Sequence, residues 1–384
     1  MDNIELLQRL VQIPSPNPPG DTRAMADFVA AEMRAIGCEA RTLAPDAKPE
    51  ARNTIATLGQ GSPVIMLHAH IDTVPIAKNE AAKWHVDPYA GLVKDGALFG
   101  KGSVDDKAPL AAMMLALADA AQQDALSGTL VLVAAAEEEV GGQLGTKWLA
   151  DNGHLPSSDF IVVGEQTANK VAIAHKGVMR ASVHTHGKAV HATNPDRGVN
   201  AIVAMSKLIA ALDGYHQELS NRVHPVVGFP TCNIGVIAGG STANAVPDAC
   251  HIQLDRRMIP REDPDVVIAE LKAVLEAVDI APATFDIDNF VYSRWFDSGL
   301  DSELGQAFLS CVREELNADP GPVGYLPGSD AKHLVDLARG DMIIFGPGSY
   351  EAAHAADEHV ELAEYQATTS ILLDFLRRTL YSAS

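Results

Sequence analysis

The stretch 68–75, which directly follows the apolar run 64–67, contains a histidine and an aspartate two residues apart, His70 and Asp72. Such a run is typical of a buried strand, so the pair lies where a strand meets a loop. Side chains at positions i and i+2 of an extended segment point to the same side. The aspartate can therefore hold one imidazole nitrogen while the other nitrogen binds a metal. The pair indicates a metal ligand and its support.

Four more acidic or histidine clusters follow. Asp105 stands in the glycine-rich segment 100–107 before a predicted helix, and N-capping of that helix is the alternative interpretation. The acidic run 137–139 follows an apolar strand, and three adjacent carboxylates repel one another unless cations neutralise them. Glu165 follows another strand, and His354 lies on a loop after a third. A solvated turn or an ordinary loop residue is the alternative for each of these.

Together the clusters predict a metal centre. Each is expected at the C-terminal end of a strand, and parallel strands would bring those ends together. Carboxylates and imidazoles suit zinc, and less tightly manganese or cobalt. Five ligands exceed what one tetrahedral zinc needs, so two metals about 3.5–4 Å apart, bridged by a carboxylate and a water, are expected.

Strands that alternate with helices indicate an α/β fold: a mixed, mostly parallel sheet with helices on both faces. Its strands are predicted near 38–43, 53–58, 64–70, 129–134, 160–163 and 342–345. Its helices are predicted over 2–12, 22–36, 107–121, 143–152, 302–316 and 361–379.

The pattern changes near residue 178, where polar and apolar residues alternate as in a half-solvated strand. A β-α-β-β-α-β order follows, which is the pattern of a ferredoxin-like α+β domain. Its strands are predicted near 178–186, 231–238 and 249–256, and its helices over 198–213 and 264–278. The chain is therefore divided into a catalytic domain, 1–177 and 291–384, and an inserted domain, 178–290.

The bulk composition excludes several kinds of partner. The chain has 29 basic and 50 acidic residues, which gives a net charge of −21. This charge argues against nucleic acid and anionic membranes as partners. The longest apolar helical stretch, 109–121, is too short to span a bilayer. Four cysteines without a C-x-x-C pair predict free thiols and a cytoplasmic location.

The five motifs, in order, are H-x-D-x-V-P, G-x-G-x-x-D-x-K, E-E-x-G-G, G-E-x-T and G-P-G followed by H-x-x-[DN]-E. This series resembles the M20 family of di-zinc metallopeptidases, and within it the acetylornithine deacetylases and succinyl-diaminopimelate desuccinylases. The resemblance covers essentially the whole chain. One departure is Gln166, which replaces a usual proline and predicts a less rigid loop.

The resemblance implies a role for each matched residue. The implied ligands of two divalent metals, zinc first and cobalt or manganese as alternatives, are His70, Asp105, Glu139, Glu165 and His354. Asp105 would bridge the metals, Glu138 would be the general base, and Asp72 would orient His70.

The inserted domain carries matches too. His191 would stabilise the oxyanion, in the active site of the partner subunit. The implied substrate-binding residues are Asn244, Arg257, Ser329 and Asp330. The fork of an arginine binds a carboxylate with two hydrogen bonds, and Arg256 is the rival of its neighbour Arg257.

The implied function is metal-dependent hydrolysis of the amide bond of an N-acyl amino acid, which releases a carboxylate and a free amino acid. A dipeptidase or glutamate-releasing carboxypeptidase of the same family is the alternative, because it also cleaves an amide beside a carboxylate. A non-catalytic binding protein of this fold is disfavoured, because every ligand and the base are present. The resemblance also implies a homodimer formed through the inserted domain.

Overall fold

A computed structural model of the chain describes residues 3–123 and 126–381. These residues form two compact units. The first contains the described residues up to Ile173, together with Ser298–Tyr325 and those from Ser329 onwards. The second contains Ala174–Asp297 and Leu326–Gly328.

In chain order the helices are α1 (Asn3–Val11), α2 (Arg23–Ala35), α3 (Lys78–Ala81), α4 (Ala108–Ala120), α5 (Thr146–Asp151), α6 (Ala201–Leu219), α7 (Pro264–Glu276), α8 (Glu303–Leu316), α9 (Ala331–Leu334) and α10 (Leu362–Leu380). The strands are β1 (Glu39–Leu43), β2 (Asn53–Gln60), β3 (Val64–His70), β4 (Leu92–Lys94), β5 (Ala97–Phe99), β6 (Gly128–Ala135), β7 (Ser158–Val163), β8 (Val171–His175), β9 (Gly177–His186), β10 (Val190–His191), β11 (Thr231–Gly239), β12 (Ala245–Val246), β13 (Ala249–Met258), β14 (Thr284–Ser293), β15 (Phe296–Asp297), β16 (Pro322–Tyr325), β17 (Ala338–Ile344) and β18 (His359–Glu361).

The first unit is built on a mixed sheet with the order β1-β2-β6-β3-β7-β17-β8. The four middle strands, β6, β3, β7 and β17, are parallel, whereas β1 and β2 pair antiparallel. Their apolar runs are buried almost throughout, and they share a hydrophobic core with α1, α2, α4, α8 and α10. Continuous apolar strands are expected where helices cover a parallel sheet. The predicted α/β fold class is confirmed.

The second unit has a four-stranded antiparallel sheet with the order β11-β13-β9-β14. Met179 and Val183 of β9 belong to a core shared with α6 and α7, and the side chains of Met179, Ala181 and Val183 are all buried. The residues between them lie on the opposite face of the sheet. The observed order of elements is the predicted ferredoxin-like one. At the start of α7 the carboxylate of Asp263 accepts a hydrogen bond from Asp265 N, as a helix cap does.

Two helices differ most from their predicted bounds. The helix expected over 143–152 is only α5, because Gly145 before it has non-helical backbone angles, φ −98° and ψ −113°. The helix expected over 198–213 begins at the cap Asn200 and continues to Leu219 as α6. Gly214 lies inside α6, and an interior glycine costs a helix ~1 kcal/mol. Burial of Tyr215 and Leu219 offsets that cost.

Among the described residues, no helix combines the length and the apolar run that crossing a membrane requires.

Candidate metal centre

Most of the predicted metal ligands meet at one edge of the central sheet. Strands β6, β3, β7 and β17 are parallel neighbours, so their carboxyl ends lie side by side. His70 is the last residue of β3, and the acidic run 137–139 begins just after β6. Glu165 follows β7, and His354 lies on the loop after β17. Open α/β sheets bind their ligands at this edge.

Asp105 reaches the same place by another route. It lies in the irregular turn Ser103–Lys107, where its backbone angles are non-helical (φ −127°, ψ 89°), and this turn leads directly into α4. The strand before this turn is β5, which belongs to a separate antiparallel sheet with the order β18-β5-β4. The expectation that every cluster follows a strand of one parallel sheet is therefore wrong for Asp105. The backbone N–H groups of Val104 and Asp105 donate to Glu358 Oε1 over 3.2 and 3.3 Å, which holds the turn in place.

The carboxylate of Asp105 lies between two imidazoles. Its Oδ1 is 2.8 Å from His70 Nε2, and its Oδ2 is 3.1 Å from His354 Nε2. Gln166 donates from Nε2 to Oδ2 over 3.2 Å. Each oxygen of Asp105 thus faces a different histidine, as expected of a carboxylate that bridges two cations.

The potential ligands form two groups of three that share Asp105. One group adds His70 and Glu165, and the other adds Glu139 and His354. Within each group, one ligand atom of every residue lies within 4.8 Å of the others. The predicted set of five is therefore brought together, and its two halves meet at the residue predicted to bridge.

Asp72 supports this arrangement through hydrogen bonds to His70 and to the backbone of the acidic run. The Nδ1 atom of His70 lies 3.0 Å from the backbone carbonyl of Asp72 and 3.6 Å from its carboxylate, which leaves Nε2 facing Asp105. The Asp72 carboxylate accepts hydrogen bonds from Glu138 N and Glu139 N over 3.1 and 3.3 Å. Asp72 therefore fixes both the imidazole and the acidic run.

The centre concentrates buried negative charge. Asp105 and Glu165 are only 6% and 4% exposed. Burial, together with the charges of Asp105 and Glu138, raises the pKa of Glu165 well above its ordinary value. Burial also raises the pKa of Glu138 to about 7, although the nearby Lys332 opposes that shift. Divalent cations would neutralise these carboxylates, so the donor set fits a site for two of them.

Glu138 lies beside the two ligand groups and, among the described residues, belongs to neither. Its Oε1 is 3.4 Å from Lys332 Nζ, which is also 3.7 Å from Asp330 Oδ1. Asp330 is fully buried and accepts a 2.5 Å hydrogen bond from Thr146 Oγ1. A carboxylate that is outside the ligand set and close to the ligands can exchange protons with a reacting molecule.

Ser329 and His68 are buried close to this network. Ser329 Oγ accepts a hydrogen bond from Ala331 N over 3.3 Å. His68 Nε2 is 2.7 Å from Thr146 Oγ1, and burial lowers the pKa of His68 to about 4. A neutral His68 therefore packs against the Thr146–Asp330 pair. His68 lies on β3 two residues before His70, and its contact with Thr146 is structural.

Two further residues, Tyr325 and Glu358, hold the ligands and were not predicted as site residues. Tyr325 donates from its hydroxyl to Glu165 Oε2 over 2.9 Å, and no motif contains it. Glu358 receives the N–H groups of the Asp105 turn, and it closes the fifth motif, so a signal for it was present. Gln166, which predicted a looser loop, is buried and contacts Asp105 instead.

The remaining predicted residues lie in the second unit. His191 on β10 and Asn244 are brought together, because β10 pairs with β12 and Ala192 N donates to Asn244 O over 3.0 Å. His191 is exposed, and its Nδ1 lies 2.8 Å from Thr193 Oγ1. Arg257 on β13 pairs with Asp255 over 2.7 Å and keeps 35% of its side chain exposed.

Arg256, the rival of Arg257, is fully buried. Its Nη2 is 2.6 Å from Glu262 Oε1, and its Nε donates to Tyr215 Oη over 3.2 Å. Of the two arginines, therefore, Arg257 is the one with a side chain accessible to a ligand.

Comparison with known proteins places this geometry in a family. The profile of Peptidase family M20/M25/M40 matches residues 66–378. An acetylornithine deacetylase of Proteus mirabilis (strain HI4320) is 28% identical over 96% of this chain and 94% of its own length. A probable succinyl-diaminopimelate desuccinylase of Staphylococcus aureus (strain MRSA252) is 30% identical over 82% of each chain.

Two solved structures share the fold. The aminopeptidase PepT of Bacillus cereus ATCC 10987 superposes with a TM-score of 0.78, at 20% identity over 97% of each chain. An M20 family metallo-carboxypeptidase, Sso-CP2 of Sulfolobus solfataricus, gives a TM-score of 0.75 at 17% identity, over 98% of this chain and 99% of the other.

Proposed function

The chain belongs to Peptidase family M20/M25/M40 and is a hydrolase, and we propose that it hydrolyses the amide bond of N-acyl amino acids with two divalent cations. The observation that carries the proposal is the pair of ligand groups that share Asp105, with the carboxylate of Glu138 beside them. His70 and Glu165 would hold one cation, and Glu139 and His354 the other. The products would be a carboxylate and a free amino acid.

When bound, the cations would polarise the amide carbonyl and make water a better nucleophile at neutral pH. Glu138 would take the proton of the attacking water and pass it to the leaving amine. Lys332, 3.4 Å away, keeps the Glu138 side chain in place and limits the rise of its pKa. His191 would donate a hydrogen bond to the oxyanion that develops on the carbonyl.

Ser329 and Asp330 would act through their neighbours. Both are fully buried. The Asp330 carboxylate accepts a hydrogen bond from Thr146 and forms an ion pair with Lys332. We therefore assign Asp330 to the positioning of Lys332, and through it of Glu138. Asn244 and Arg257 remain the candidates for contact with the carboxylate of the substrate.

Replacing the arginine that is accessible should affect substrate binding. In Arg257→Met, we expect KM to rise about ten- to a hundredfold with kcat little changed, because charged hydrogen bonds contribute about 1.5–3 kcal/mol. Steady-state kinetics measure both constants. An unchanged KM would remove Arg257 from the substrate site.

Arg256→Met is the matched control. This change leaves Glu262 without its buried partner, so the free energy of unfolding should fall by about 3–5 kcal/mol. Urea denaturation measures that loss, and the KM of the folded fraction should stay near the wild-type value.

The substrate class is tested by a panel of N-acetyl, N-succinyl and N-formyl amino acids together with dipeptides, assayed with zinc, cobalt and manganese. Release of a free amino acid from the N-acyl compounds, faster than from the dipeptides, supports the proposal. Faster cleavage of dipeptides would favour the peptidase alternative. No release from any compound with bound metal would contradict both. Zinc is the proposed cation, because carboxylate and imidazole ligands suit it.

We also propose that two copies of the chain associate through the second unit. Strand β11 lies at the edge of its sheet, where backbone groups are free to pair with another strand. Val236 and Ile237 on β11 are 44% and 57% exposed, and Ile202 and Val203 at the start of α6 are 40% and 54% exposed. Apolar side chains beside a free edge suit a second copy of the same surface.

This association predicts the effect of a charge on β11. Ile237→Lys should convert a dimer into a monomer, because a buried lysine without a partner opposes the contact. Val291→Lys, at the 65% exposed Val291 on the opposite edge strand β14, should leave the dimer intact. Sedimentation velocity gives the masses, and a monomeric wild type or a dimeric Ile237→Lys would contradict the proposal.

We propose a cytoplasmic location. The four cysteines, Cys38, Cys232, Cys250 and Cys311, are buried free thiols, which supports a reducing compartment.

A further inference from the structure

Three adjacent strands of the second unit place histidines and aspartates together on one face of its sheet. The register sets His184 on β9 opposite His251 on β13 and opposite Asp286 on β14. His186 and Asp288 lie two residues farther along their strands, so they project from the same face. Helices α6 and α7 cover the other face, so this one is open to solvent.

The side chains on this face are already in contact. His184 Nε2 lies 3.3 Å from Asp288 Oδ1, and His186 Nε2 lies 2.5 Å from Asp286 Oδ2. The ring of His251 stacks on that of His184, with centroids 5.8 Å apart and an angle of 27° between the planes. Asn289 donates from Nδ2 to Asp288 Oδ1 over 2.8 Å. Contacts on both sides therefore restrict His184 and Asp288.

We propose that His184, Asp286 and Asp288 bind one divalent transition-metal cation of the zinc or copper class. One ligand atom of each residue lies within 4.8 Å of the other two. Tetrahedral zinc with bonds of about 2.1 Å places its ligand atoms about 3.4 Å apart, so small side-chain rotations are enough. One imidazole and two carboxylates favour zinc and copper over calcium or magnesium. Water would complete the coordination at this exposed position.

The alternative is a set of exposed His–Asp ion pairs, each of which contributes about 0–1 kcal/mol. A cation would do more, because it would connect β9 to the edge strand β14 and stabilise the folded state by mass action. This site is composed only of residues of the second unit. It is separate from the ligand groups around Asp105 and does not depend on the proposed reaction.

Zinc counting tests the site. The full chain, without a histidine tag, is dialysed against micromolar Zn²⁺, and zinc per chain is measured by mass spectrometry for the wild type and for His184→Gln combined with Asp288→Asn. We expect the double variant to hold one zinc fewer and to keep wild-type turnover. Asp213→Asn, which removes an exposed carboxylate from α6 in the same unit, should keep the wild-type zinc content.

Equal zinc in the wild type and the double variant would overturn the proposal. So would a loss of turnover that accompanies the loss of zinc, since the missing ion would then come from the Asp105 centre. The test uses the difference in zinc per chain between the wild type and the double variant, so it does not depend on how many ions the Asp105 centre holds.

Discussion

Glu138→Gln should lower kcat by about 10²–10⁴-fold, the usual contribution of a general acid–base group, while metal content stays at the wild-type level. The amide has the size of the carboxylate but cannot accept and return a proton. Glu138 is outside both ligand groups found among the described residues, so its loss should leave those groups intact. Turnover on the best substrate of the panel and metal analysis of the same sample make the measurement.

Glu137→Gln is the matched control, because it makes the same change one residue earlier in the acidic run. The Glu137 carboxylate forms an ion pair with Lys48 Nζ at 2.5 Å and accepts a hydrogen bond from Asn17 Nδ2 over 3.2 Å. We expect this variant to keep most of its turnover. Near-wild-type turnover in Glu138→Gln, or an equal loss in Glu137→Gln, would show that Glu138 is not the base.

The parts of the centre carried by long strands were predictable from sequence. The strands β3, β6 and β7 carry continuous apolar runs; β3 ends at His70, and the acidic run and Glu165 begin two residues after β6 and β7. A buried parallel strand needs such a run on both faces, so the pattern indicates both the strand and its end. The convergence of these residues follows from the parallel order of the strands.

Tyr325 and Lys332, which support the centre, were not predictable, because they act through contacts distant in sequence. Tyr325 meets Glu165 across 160 residues, and Lys332 meets Glu138 across 194. The strands β4, β5 and β18, which position the turn of Asp105, have only three residues each. A strand of three residues is too short to show a hydrophobic period. The pairing of these strands therefore depends on the tertiary fold.

The proposed bridging position of Asp105 gives the strongest prediction about metal content. Each of its oxygens faces a different histidine, His70 at 2.8 Å and His354 at 3.1 Å. In Asp105→Ala both ligand groups lose a member, so both cations should be lost and turnover should become undetectable. In His354→Ala only one group is incomplete, so one cation should be lost and one retained.

The comparison of these two variants separates a bridge from an ordinary ligand. Metal per chain is measured after gel filtration and expressed as the loss relative to the wild type. A cation bound to the second unit is present in all samples, so it does not affect this loss. Asp105→Ala should lose about twice as much metal as His354→Ala, since a carboxylate shared by two ions contributes to the affinity of both. Equal losses in the two variants would mean that Asp105 serves one cation only. In the wild-type centre Glu165, Glu138 and Glu139 are crowded together, and burial raises the pKa of each. With a pKa of about 7, part of the Glu138 population would be protonated at neutral pH without cations and unable to act as a base.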